Sequence, residues 1–208
     1  MTTKSPPRGF RLLLPDNWVR YDLDPETYRA SLATSVDRIV ADDPKTEVLA
    51  REAQGLLAAH LLDAIDHGAL LAASYTDTIN GVPIGASLVV IRSPYPADPG
   101  GNRMGLKSIA DMFTSGLTKG RMVGLPRVGP AVLVTGREMV EEMRGTDGRP
   151  LQADTTRYFV PFPGQDSPLL VLSFSSPTLL LADAFRKLFR AIAESLNWQD
   201  LDAEAADE

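Results

Sequence analysis

The densest group of side chains able to do chemistry in this chain is basic. Residues 101–137 carry Arg103, Lys107, Lys119, Arg121, Arg127 and Arg137 against the single acid Asp111, a local balance of +5. Glycines at 101, 105, 116, 120, 124, 129 and 136 interrupt the segment. Cations grouped in this way hold phosphate or carboxylate oxygens, or meet the acidic surface of another protein. They also occur simply as solvated residues that offset acids elsewhere, and both readings stay open at this level. Arg103, Lys107, Lys119, Arg121 and Arg127 are carried forward as candidate partner- or anion-binding residues.

A second group deserves a geometric test. The stretch His60-Leu-Leu-Asp63-Ala-Ile-Asp66-His67 holds both histidines of the chain. On a helix, positions 60, 63 and 67 fall within about 60° of one another. Two imidazoles and a carboxylate on one face are the right groups for a divalent ion. Yet seven residues separate the imidazoles, about 10.5 Å along a straight helix, whereas helical histidine pairs that share an ion are spaced i, i+4. The expectation is therefore no metal site, with His60 bordering an apolar face and His67 near a helix end, where a cation suits the dipole.

Recognisable catalytic machinery is missing. No Gly-x-Gly-x-x-Gly, Walker loop or Gly-x-Ser-x-Gly elbow is present. There is no cysteine, which excludes disulfides, thiol nucleophiles and thiolate-bound zinc. No catalytic residue and no cofactor is expected. The run Tyr158-Phe-Val-Pro-Phe162 would place Tyr158, Val160 and Phe162 on one face of a strand, which is the pattern of sheet core.

The charge balance narrows the partners. Of the net −6, five charges belong to Asp200, Asp202, Glu204, Asp207 and Glu208, so the rest of the chain stands at −1. A nucleic-acid binder carries net positive charge, so nucleic acid is not expected. No window reaches the roughly 18 apolar residues of a membrane span, and the N-terminus lacks a signal-peptide run, so a cytoplasmic protein is expected. With 208 residues, 44% of them hydrophobic, the chain can bury a substantial core. One domain over 9–198 is expected, between a disordered tail at 1–8 and an acidic disordered tail at 199–208.

The elements that must position these residues are legible in outline. Phe10–Leu14 and Trp18–Leu23 read as strands about a turn at Pro15-Asp16-Asn17. Asp24-Pro25 and Asp43-Pro44 each pair a capping aspartate with a first-turn proline, which predicts a helical hairpin over about 25–41 and 45–66, closed by Gly68. Asn80-Gly81 between two β-rich runs predicts a hairpin of 70–79 with 82–91. A helix over about 104–117 and a strand over 131–139 follow. Strands 151–162 and 169–174 come next.

Ser176-Pro177 then opens a last helix over about 178–197, with Leu181, Phe185, Leu188, Ile192 and Leu196 on one stripe. Asp183, Arg186, Lys187, Arg190 and Glu194 take the opposite face, with Trp198 closing the element. Truncating Phe185 should therefore be costly, and truncating Arg186 nearly neutral.

Leu12-Leu-Leu-Pro-Asp-Asn-Trp18, Tyr158-Phe-Val-Pro-Phe-Pro-Gly and Leu170-Val-Leu-Ser-Phe-Ser-Ser-Pro177, with the amphipathic helix ending at Trp198, resemble the PsbP-like α/β/α sandwich superfamily, especially its small bacterial members of unknown function. The resemblance covers the first 20 and the last 50 residues. It implies an α+β fold in which a mainly antiparallel sheet is flanked by helices and a C-terminal amphipathic helix packs on the sheet. The hairpin over 25–66 and the basic segment are departures from it. Members of the superfamily mostly bind proteins as assembly factors, GTPase partners or chaperones. The function expected from the chain is a non-catalytic protein-binding domain: an adaptor, a secretion-linked chaperone or a toxin-neutralising partner. The alternative is a small-molecule or anion-binding enzyme that uses residues 101–137.

Overall fold

Strands within 69–93 and 119–176 build an antiparallel sheet whose side chains point in turn to its two faces. A computed structural model describes residues 9–42, 61–62, 64–79, 82–144, 150–164 and 167–199. In chain order the elements are β1 (Gly9–Arg11), β2 (Val19–Tyr21), α1 (Tyr28–Asp42), β3 (Ala69–Ile79), β4 (Val82–Ser93), α2 (Leu106–Met112), β5 (Lys119–Leu125), β6 (Gly129–Arg144), β7 (Pro150–Pro161), β8 (Leu169–Ser176), α3 (Ala182–Glu194) and β9 (Asn197–Gln199). The fold is mixed α+β, dominated by a seven-stranded antiparallel sheet in the order β2-β3-β4-β8-β7-β6-β5. Among the described residues no helix is long and apolar enough to cross a membrane.

The register sets out two rows of side chains, one per face. Val90, Leu172, Tyr158, Leu133 and Arg121 lie opposite one another in turn across the sheet. The next row is Ile91, Val171, Phe159, Val132 and Met122. The first row belongs to the larger core, in which α3 inserts Phe185, Phe189 and Ile192. The second belongs to a smaller core, which α2 closes with Ile109 and Ala110. The first row starts in buried Val90 and the second in partly buried Ile91, and both end on β5 in exposed residues, Arg121 and Met122.

Helix α2 lies close on the sheet because β5 beneath it has no side chain at Gly120, where a Cβ would stand 2.0 Å from the Ala110 carbonyl oxygen. On β6, a Cβ at Gly136 would stand 2.7 Å from Thr118 Cγ2 in the link that follows the helix. Backbone cannot yield as a flexible side-chain end can. Gly120→Ala is therefore expected to cost about 1–3 kcal/mol, the range of overpacked sites. Gly124→Ala on the same strand, where a Cβ meets nothing within 4 Å, should be close to neutral. Denaturant midpoints of the two variants test this, and equal costs would contradict the packing of α2 on β5.

Several boundaries differ from those the sequence suggests. Asp24 does cap a turn, accepting the Glu26 N–H at 2.8 Å, but regular helix starts only at Tyr28. The second helix of the expected hairpin lies largely outside the described residues; its last part, 61–62 and 64–66, is helical. The β3–β4 hairpin has Ile79 opposite Val82, the register a two-residue connection imposes.

Helix α2 is shorter than 104–117. Past its end the Thr114 hydroxyl donates to the Ala110 carbonyl, and Gly116 takes φ +59°. The last helix also shortens. Leu179–Leu181 form a 3-10 turn, α3 spans Ala182–Glu194, and Trp198 sits in a strand, β9, which pairs antiparallel with β1.

Candidate functional site

The basic residues separate into two groups in space. Arg103 is committed to the fold: its guanidinium lies 3.6 Å from the centre of the Tyr95 ring and donates to the Gly164 carbonyl at 3.3 Å. Lys107 on α2 pairs with Asp111 one turn on, at 3.4 Å and fully in solvent, where such a pair contributes little. Lys119 and Arg121 stand two residues apart on β5, so they share the face that carries α3. Arg127 follows in the three-residue link to β6, and Arg137 lies further along β6. These four are exposed, and none has an acidic partner among the described residues.

The strand that carries them is the edge of the sheet, and no described residue pairs with its outer side. Antiparallel strands direct the N–H and C=O of alternate residues to opposite sides. On β5 the outward residues are identified by Gly120. Its N–H donates to Thr114 Oγ1 at 3.1 Å, and the same hydroxyl lies 3.4 Å from its carbonyl oxygen. Gly120, Met122 and Gly124 therefore face out. The Thr114 hydroxyl closes the edge at Gly120 and leaves the amide groups of Met122 and Gly124 open. Sequence reading missed β5 altogether, because its seven residues Lys119-Gly-Arg-Met-Val-Gly-Leu include two glycines and no clean alternation.

Tyr158 lies buried beneath Arg121 of this edge and Arg190 of α3. Its ring is buried against Phe174, with centroids 6.2 Å apart. Burial pushes the phenol up to about 12, opposed by Arg190 and Arg121, which flank it. The phenol of the unfolded chain titrates near 10. Above that value the unfolded chain releases a proton that the folded protein keeps. Stability is thus fully present below pH 10 and falls as pH rises toward 12. Between pH 9 and 11 the loss from this group is on the order of 1 kcal/mol. Guanidinium denaturation at both pH values should show a steeper loss for the native chain than for Tyr158→Phe; parallel losses would refute the assignment.

His60 and Asp63 lie outside the described residues, and His67 is exposed beside Gly68, which takes φ +73°. Among the described residues no three His, Cys, Asp or Glu side chains converge as metal ligands would. At the opposite edge of the sheet an open depression of about 490 Å³ lies between β2 and α1, lined by Asn17, Arg20, Ser31 and Thr34 among others. The Trp18 indole N–H beside it is buried without a partner among the described residues.

Fold and site together define a mixed α+β domain with a cationic open sheet edge. No family model matches the chain, and no curated protein matches it.

Proposed function

We propose that this chain is a non-catalytic protein-binding domain that acts in the cytoplasm as an adaptor, a secretion-linked chaperone or a toxin-neutralising partner. One observation carries the reading. Lys119, Arg121 and Arg127 line an unpaired sheet edge and its connecting loop, all exposed and without acidic partners among the described residues. Cations that offset acids within their own fold would be found beside them; cations aimed at another molecule are left open.

Helices on both faces of the sheet, α3 on one and α2 on the other, support reading the architecture as the α/β/α sandwich of PsbP-like proteins. The strand β8 that runs into the C-terminal helix supports it as well. Protein binding is the function that membership would bring.

The test uses the full chain as bait in a native lysate. The captured protein is identified by mass spectrometry and reconstituted from purified components by calorimetry. A defined stoichiometry, weakened by the triple change Lys119→Glu, Arg121→Glu and Arg127→Glu, is expected. A reconstituted complex of unchanged affinity in that variant would remove this surface from the function.

A further inference from the structure

From the geometry of this edge we infer that β5 takes up an extended segment of its partner as an eighth strand. The segment alternates acidic residues on the α3 face with apolar residues on the α2 face. The inference rests on the protein-binding reading and specifies its partner.

Three features converge on it. The first is the backbone. Met122 and Gly124 direct their N–H and C=O groups outward, where a strand adds by completing the ladder. Thr114 blocks the same groups of Gly120, which limits the new pairing to the second half of β5 and sets where the segment stops.

The second is the pair of side-chain rows. On the α3 face the row Tyr158, Leu133, Arg121 ends in an exposed cation, with Lys119 two residues before it. A carboxylate opposite Arg121 on an added strand stands in direct cross-strand contact with it. On the α2 face the row Phe159, Val132, Met122 ends in a methionine that is 46% exposed. Phe113 stacks on Phe159 at 4.9 Å behind it, so an apolar side chain added beyond Met122 continues an existing core.

The third is what the edge rejects. A second copy of β5 would bring Lys119, Arg121 and Arg127 against the same three cations. Basic residues on an edge are a known guard against pairing of a strand with its own copy. An acidic strand turns that repulsion into attraction, so the occupant is a segment of different sequence and opposite charge.

The probe is a fluorescein-labelled nine-residue peptide alternating Glu with Val and Ile, titrated with the full chain and followed by anisotropy. Three further peptides are compared with it: the same sequence with Lys for Glu, the acidic sequence with a central proline, and the acidic sequence N-methylated at alternate residues on its bonding side. The acidic peptide should bind at least about tenfold more tightly than each of these, since two backbone hydrogen bonds, or the exchange of attraction for repulsion along the whole acidic row, correspond to that ratio.

Arg121→Glu should weaken the acidic peptide by a similar factor. So should Met122→Pro, which removes an outward N–H and leaves the β6 ladder intact. The N-methylated peptide repeats this test on the unaltered protein, should the proline variant fail to fold. Equal binding of the acidic and N-methylated peptides would overturn strand addition. Equal binding of the acidic and basic peptides would overturn the acidic partner. If the captured partner still binds with affinity that depends on Lys119, Arg121 and Arg127 but not on Met122→Pro, protein binding stands and the strand-addition inference fails alone.

Discussion

Replacing Arg186 with alanine will cost about 3–5 kcal/mol, the penalty for stripping a buried charge of its partner. Arg186 reaches from α3 to Asp154 on β7, with Nε 2.9 Å from Oδ2 and the second guanidinium nitrogen on Oδ1. Asp154 is only 1% exposed, and Arg186 is the cation that pairs with it. The bond to Asp183 at 3.2 Å lies in solvent and adds little.

The signature of this mechanism is rescue by removing the stranded charge. Asp154→Asn in the Arg186→Ala background takes away the unpaired carboxylate and should recover part of the deficit. Chemical denaturation of the single and double variants reads the effect. A double variant no more stable than Arg186→Ala would mean that Arg186 stabilises the protein through its aliphatic stem.

Phe189→Ala should lose about 3–5 kcal/mol, as expected for large-to-small changes at sites that cannot collapse. Phe189 is fully buried, stacked on Phe174 at 4.7 Å and 5.7 Å from Phe185. Its ring thus joins α3 to β8 at the centre of the larger core. Against a total stability of typically 5–15 kcal/mol, the variant should unfold at much lower denaturant. Leu180→Ala serves as the comparison, since Leu180 is 96% exposed in the turn before the helix and should change stability by less than about 0.5 kcal/mol. A larger loss at Leu180 than at Phe189 would mean that α3 presents a different face to the sheet.

The cost at Arg186 reverses the expectation drawn from the helix pattern alone. Periodicity puts Arg186 on the polar face of α3, opposite Phe185 and Ile192, whereas the folded helix turns its partly buried guanidinium down onto Asp154 of the sheet. The pattern carries no information about what stands on the strand opposite, and Asp154 lies 32 residues away in sequence. The same blindness explains Phe189. A stripe drawn through Leu181, Phe185, Leu188, Ile192 and Leu196 passes beside it, yet the described cluster shows Leu181 and Leu188 only partly buried and Phe189 wholly so. Which side of an apolar stripe lies deepest depends on how the helix rolls onto the sheet.

Local chemistry alone determined a good deal of this protein. The turn between 79 and 82 is one, since Asn-Gly suits the tight link whose register is seen. The strands β7 and β8, with Tyr158, Val160 and Phe162 buried on one face, are another. The amphipathic character of α3 and the concentration of cations over 101–137 are also plain in the residues themselves, because capping, turn and alternation preferences act over a few neighbours. What only the tertiary structure decided depends on neighbours remote in sequence. The short β9 exists because β1, at the other end of the described chain, pairs with it. The glycine-rich β5 is a strand because β6 supplies its ladder and α2 needs the space above Gly120. The cations were visible as a group, but their division was not. Tyr95 and Gly164 engage Arg103, Asp111 engages Lys107, and Lys119, Arg121 and Arg127 are left along an open edge, because sheet order, which no local preference encodes, puts β5 last.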